Sequence, residues 1–259
     1  MSLEGRQSSQ SKHKNKYTDE YTYQRQAIHA NIIADILGDL DSEDYPYLNE
    51  SKMLFTGGPP ASGKNTMLSI YLDDEELVET TPIIIDPDNI KKMLPEYIIT
   101  SVDEDYAEMI SDYLHAESGD IAWKCFEEVL RRDKAFGVFV VTLTDVLWSR
   151  KMISMAKESG FEVDILFTYA PLEVCIEREA KRKEETRRGV PLHILKQKHR
   201  EFSENFGIIA AMGDFVSLYN NSADISEEIN DDELIIYSRQ PGEYFLRRDA
   251  HIDEHLFRY

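Results

Sequence analysis

Apolar and polar positions along the 259-residue chain follow two alternating rhythms. Short, densely apolar runs recur at KMLFT (52–56), PIIID (82–86), FGVFVVTL (136–143) and EVDILFTYA (162–170). Each has the length and the β-branched or aromatic content of a buried strand. Between them lie HAESGDIAWKCFEEVLRRDK, WSRKMISMAKESG and PLEVCIEREAKRKEETRR, with apolar residues at helical spacing. An earlier helix is predicted within residues 17–39, where Ile28, Ile32, Ile33, Ile36 and Leu37 recur with a helical period. DFVSLYNN (214–221) predicts a fifth strand, whereas ELIIYSR and EYFLRRDAHIDEHLFRY at the end give no assignment.

Strands alternating with helices predict an α/β fold, a parallel sheet flanked by crossover helices. There is no internal repeat and no proline-rich linker, so residues 17–259 read as one domain with its core over 50–221. Residues 1–16 are polar, lack the apolar run of a secretory signal, and read as a disordered leader.

Charge narrows the classes of function. Lys and Arg total 29 against 49 Asp and Glu, a net charge of −20. Such a surface repels nucleic-acid phosphates and anionic lipid, which argues against broad binding to either but leaves room for a small cationic pocket. No apolar run approaches the ~20 residues of a membrane helix. Two cysteines, Cys125 and Cys175, are too few for a disulfide framework and predict a reducing, cytoplasmic location.

The strongest chemical signal is LFTGGPPASGKNT (54–66), a glycine-rich loop between a strand and a helix. As G-x-x-x-x-G-K it runs Gly58, Pro59, Pro60, Ala61, Ser62, Gly63, Lys64, followed by Asn65 and Thr66. The glycines permit a tight turn whose amides approach polyphosphate oxygens, and Lys64 reaches the outer phosphates. This predicts a P-loop NTPase-type sheet that binds ATP. The residue after the lysine is ordinarily Ser or Thr, a Mg²⁺ ligand; here Asn65 offers an amide oxygen instead, and Asp86 is the other candidate metal contact.

Asp86 and Asp88 follow the second strand, at the carboxyl edge where open α/β sheets bind ligands. Asp88 suits a general base for an attacking hydroxyl, and equally an N-cap for NIKKML; spacing alone leaves both open. Residues 177–191 concentrate arginines in an otherwise acidic chain. Arg178 and Arg182 share a helix face and Arg187 and Arg188 follow, as an arginine-bearing lid over phosphates requires. Glu177, Glu179, Glu184 and Glu185 offer the same arginines surface partners. His115, His193 and His199 show no metal-ligand spacing and read as helix surface. DDEE at 73–76 and EEINDDE at 227–233 read as solvated acidic faces.

In order, GGPPASGKNT, IDPDNIKKMLPEY, HAESGDIAWKCFEE, IEREAKRKEETRRGVP and FVSLYNN resemble the zeta toxin family of P-loop kinases, over about residues 50–221. The resemblance implies an ATP- and Mg²⁺-dependent small-molecule kinase. In the best-described activity of the family the acceptor is the 3′-hydroxyl of the aminosugar in UDP-N-acetylglucosamine. It implies Lys64 as the phosphate-loop lysine, Asp88 as the base, and Arg178 and Arg188 as the arginines on the phosphates. Glu117 and Ser118 match a substrate-side helix signature. Thr142 stands where the family's I-E-G-T stretch has its acid and Thr144 at its threonine, in a region lining the sugar-nucleotide pocket. Asp145, Trp148 and Arg150 follow directly and offer a differently built pocket, though a lone Trp is commonly amphipathic-helix core.

Toxin activity implies an antitoxin or regulatory protein partner and is compatible with delivery into a host cell. Two alternatives remain at this point: a nucleotide-binding regulatory protein with weakened turnover, suggested by Asn65, and a polynucleotide or dinucleotide kinase.

Overall fold

The structure is a computed structural model that describes residues 8–38, 50–73, 81–100, 107–186, 189–222, 235–240 and 243–246. The apolar runs form strands: β1 (Lys52–Gly57), β2 (Ile83–Ile85), β3 (Phe136–Phe139), β4 (Glu162–Tyr169) and β5 (Phe215–Asn220). The unassigned tail supplies two more, β6 (Ile235–Gln240) and β7 (Glu243–Leu246). The sheet order is β2-β3-β1-β4-β5-β6-β7. The first five are parallel, and β6 and β7 extend the sheet antiparallel beyond β5.

Alternation along the central strands sends side chains to opposite faces. Met53, Phe55, Val163, Ile165 and Phe167 enter the larger core, while Leu54 and Leu166 enter the smaller. The larger core is closed by α2 (Tyr23–Leu37), α4 (Pro87–Met93), α6 (Ala107–Leu130), α7 (Val146–Glu158) and α9 (Leu192–Ala210). On the other face α3 (Lys64–Leu72) buries Met67 and Leu68 against Leu54, Phe136 and Val138. The remaining helices are α1 (Ser9–His13), α5 (Pro95–Thr100) and α8 (Leu172–Thr186), the last packing Cys175 against Leu195 of α9.

The leader expected to be disordered over 1–16 is corrected from residue 8 onward; residues 1–7 lie outside the described set. Ser8 caps α1 by accepting from the Ser11 amide, and Ser9 is buried. Gln10, Lys14 and Tyr21 all converge on the Asp120 carboxylate of α6, at 2.9, 3.3 and 2.7 Å. Among the described residues, no helix is long and apolar enough to cross a membrane.

Candidate active site

The loop after β1 takes the tight path its glycines predict. Gly58 has φ +132, and a Cβ there would lie 2.3 Å from the Thr168 carbonyl oxygen. Gly63 has φ +90, and a Cβ would lie 1.9 Å from Asn221 Nδ2. Only glycine fits either position. Gly63 is the N-cap of α3 and offers no side-chain acceptor, so the first amides of that helix remain available to an anion. Pro59, Pro60, Ala61 and Ser62 form the turn between the glycines; Ala61 is left-handed at φ +61. Ser62 is fully buried and its Oγ has no hydrogen-bond partner. Asn65 and Thr66, on the first turn of α3, are exposed.

Lys64 folds back over this loop, its Nζ donating to the carbonyls of Gly58 (3.1 Å) and Pro59 (3.0 Å). Burial pushes its ammonium down to about 8, with Arg182 adding to the shift and Cys175, Asp88 and Asp86 opposing it. It stays mostly protonated at neutral pH.

Across the rim, the two acids of IDPD divide their tasks. Asp86 is the N-cap of α4: its carboxylate accepts from the Asp88 amide at 2.8 Å. Burial, chiefly, raises its carboxyl above the usual range. Asp88 is thereby free of the capping duty that its position also suited, and its side chain is 71% exposed. Lys91, one turn on, donates to it at 2.8 Å. Burial of the Asp88 carboxyl works to raise its pKa. Lys91, then Arg182 and His115, outweigh that and hold it below the ordinary range. Asp88 is an ionised acceptor facing the phosphate loop.

Arg178 and Arg182 share one face of α8, as their spacing predicts. Arg178 Nη1 donates to the Asn221 carbonyl at 2.8 Å, and the same atom lies 4.0 Å from the Cβ position of Gly63. Arg182 acts electrostatically on both Lys64 and Asp88, so it lies within range of loop and base alike. It also reaches Glu179 at 3.6 Å, a partial return of the glutamate pairing. Arg187 and Arg188 lie outside the described residues, as do residues 74–76 and 227–233 of the acidic patches.

The remaining predicted contacts separate. Thr142 is half-buried, and its carbonyl accepts from the Gly58 amide at 2.9 Å, stitching the β3 loop to the phosphate loop. Thr144 is buried and its carbonyl accepts from Asn205 of α9, so its side chain does not line the rim. Glu117 and Ser118 are corrected as substrate contacts: both are fully buried. Ser118 Oγ donates to the His115 carbonyl within its own helix. The Glu117 carboxylate is committed to Arg25 (2.5 and 2.8 Å) and His29 (2.6 Å) of α2, and Arg25 also holds Glu96 at 2.9 Å.

Three residues of the site were not singled out for it by sequence. His115, read as helix surface, is exposed but close enough to shift Asp88, and its own imidazole is pulled down by burial and then by Lys91. Lys91 pairs with the base. Asn221 ties three segments: its amide donates to the Ser62 carbonyl (2.8 Å), its backbone N–H to Tyr169 (2.7 Å), and its carbonyl accepts from Arg178. The sequence signals for Asn221 are its place just after the fifth strand and its membership of the FVSLYNN stretch. His199, by contrast, is not surface; it is buried with its ring at 3.0 Å from the Ala170 carbonyl.

A parallel sheet with this loop at the end of its central strand, an ionised carboxylate opposite and arginines above defines the P-loop phosphotransferase class. The zeta toxin family model matches residues 39–231, well over half of the chain. The chain belongs to the zeta toxin family, and is a phosphotransferase with a hydroxyl acceptor.

Solved structures share the fold. One, from work on the PezAT chromosomal toxin–antitoxin system of Streptococcus pneumoniae, is 17% identical, with 83% of this chain and 87% of that chain covered at TM-score 0.61. The AvrRxo1-ORF1:-ORF2 complex in its native form is 17% identical, with 91% and 73% covered at TM-score 0.64. The same pair with ATP is 17% identical, covering 88% and 70% at TM-score 0.62. No curated protein matches the sequence.

Proposed function

We propose that the chain is an ATP-dependent kinase that phosphorylates a hydroxyl of a nucleotide-linked metabolite, with UDP-N-acetylglucosamine as the first acceptor to test. The observation that carries this is the geometry of one loop, with Lys64 folded onto the Gly58 and Pro59 carbonyls and Arg178 Nη1 4.0 Å from the Cβ position of Gly63. The two glycines that no other residue can replace make the cradle a polyphosphate fits. The structure solved with ATP in the AvrRxo1 pair supports the choice of nucleotide.

ATP, when bound, supplies the γ-phosphoryl group on which the acceptor oxygen acts. Lys64 exchanges its two loop carbonyls for phosphate oxygens, and the first-turn amides of α3 bind the rest. Asn65 and Asp86 would hold Mg²⁺, which ordinarily takes one or two protein oxygens alongside substrate phosphates and would there neutralise phosphate charge. Asp88 orients the acceptor hydroxyl and receives its proton at a carboxylate oxygen. Arg178 and Arg182 stabilise the charge that spreads over the transferring group, a role the family resemblance also gives to Arg188. Asn221 holds Arg178 against the loop.

A regulatory protein that blocks this rim is a further part of the proposal, suggested by the toxin–antitoxin setting of the PezAT structure. The test is incubation with ATP, Mg²⁺ and a panel of nucleotide sugars and dinucleotides, read by mass spectrometry. One acceptor should gain one phosphate, and Lys64→Ala should abolish that gain. ATP turnover unchanged by Lys64→Ala would refute the proposal.

A further inference from the structure

Loop and carboxylate account for phosphate and proton, but not for how the rest of the acceptor is held. An aromatic ladder runs outward from the sheet: Phe55 to Phe126 (6.0 Å between centroids), Phe126 to Trp123 (5.4 Å), Trp123 to Trp148 (4.8 Å). Its inner rungs are core. Its last rung is not, because Trp148 is 45% exposed and its neighbour Leu147 is 79% exposed. Elsewhere on α7 the apolar residues Met152, Ile153 and Ala156 are buried, so this exposure is confined to the first turn.

The backing ring is held in place, because Trp123 Nε1 donates to Glu127 at 2.9 Å, and the helix start that carries Trp148 is capped, the Trp148 backbone N–H donating to the Asp145 side chain at 2.7 Å. Lys151 Nζ lies 4.5 Å from the Trp123 centroid and 5.4 Å from that of Trp148, and Arg150 beside it is exposed. A cation beside an open indole is conspicuous in a chain of net charge −20. Of the nearby acids, Asp145 caps α7 and Glu127 accepts from the Trp123 indole.

Position relates this ladder to the chemistry. The β3 loop leaves the phosphate loop at Thr142 and reaches Trp148 six residues later. On α6, His115 lies close enough to shift Asp88, and Trp123 follows eight residues on. At 1.5 Å per helical residue that is about 12 Å. An extended nucleoside diphosphate bridges such a span.

We propose that Trp148, backed by Trp123 and flanked by Lys151, is the stacking platform for the planar base of the acceptor. The acceptor is then a base-bearing nucleotide conjugate, its phosphates beside Lys151 and its reacting hydroxyl at Asp88. This builds on the kinase proposed above and names the part of the acceptor that selects it. Indole faces stack on any base, so the platform sets the class of acceptor and leaves its identity to other contacts.

Both tryptophans of the chain belong to this pair, so intrinsic emission reports on the platform alone. The experiment titrates the full chain, without ATP, with UMP, AMP and ribose 5-phosphate. UMP and AMP should quench saturably and ribose 5-phosphate should not. Trp148→Ala should weaken binding about tenfold, with Trp123 as reporter, and Trp148→Phe should retain most of it. The UMP response should persist in Lys64→Ala, so the platform and phosphotransfer fail independently. Absence of quenching, equal quenching by ribose 5-phosphate, or an unchanged affinity in Trp148→Ala would each overturn the proposal. Saturation by an aromatic peptide in place of both nucleotides would assign the platform to a protein partner and overturn it equally.

Discussion

Two of the charged clusters among the described residues differ in what their charges are for. Around the phosphate loop, Lys64, Asp88, Arg178 and Arg182 come from three segments but stay partly open, and the base is mostly exposed. Around Glu117, the partners Arg25 and His29 are buried with it, and every close contact runs within the protein. The first arrangement leaves charge unspent for a ligand. The second uses charge to dock α2 onto α6. Both carboxylates have a cation, so access is what separates them: Asp88 keeps Lys91 at 2.8 Å yet is 71% exposed, whereas Glu117 is enclosed with its partners.

The largest effect that separates the clusters is on stability. Arg25→Ala strands a buried carboxylate and should cost about 3–5 kcal/mol, read by denaturant unfolding. Replacing Arg25, His29 and Glu117 together by apolar residues of similar size should recover much of that. Equal destabilisation by the triple replacement would show that the cluster's hydrogen bonds, not its unpaired charge, hold α2.

Lys64→Ala should behave in the opposite way, with unfolding little changed and turnover down about 10²–10³-fold. A comparable loss of stability would place Lys64 with the structural cluster. Asn221→Ala should be milder, about tenfold in kcat at unchanged acceptor KM, since it frees the loop and loosens the placement of Arg178 without removing a charge. Asn221→Asp keeps the shape but removes the donor to Ser62, so it should not rescue.

The smallest effect is one of pH. Lys91 is the leading cause of the low Asp88 carboxyl, so Lys91→Met should raise that pKa. Asp88 would then take up a proton at higher pH, and the acid limb of the rate profile should move upward while the plateau stays close to wild type. An unmoved limb would mean that another group controls it.

What was legible in the sequence follows the range of the interactions. The first five strands, the glycine loop and the shared face of Arg178 and Arg182 are encoded within a few residues by alternation, backbone freedom and helical spacing. The division between Asp86 and Asp88 was half legible, since either can cap and only backbone geometry chooses. The docking of α1 was invisible because its partner, Asp120, stands about a hundred residues away in sequence and leaves no periodic trace. The same distance hid Glu117's commitment to α2 and the role of Asn221. The antiparallel β6 and β7 went unassigned although a signal was present, since ELIIYSR and EYFL are β-rich runs on either side of Pro241 and Gly242.

The central claim is that Asp88 takes a proton from an acceptor whose phosphoryl donor is held by Lys64. It is tested most directly by Asp88→Asn, following phosphate gain on the acceptor panel alongside calorimetric ATP binding. The account predicts ATP affinity within about twofold of wild type and transfer slower by about 10²–10⁴-fold. Transfer at the wild-type rate would contradict it.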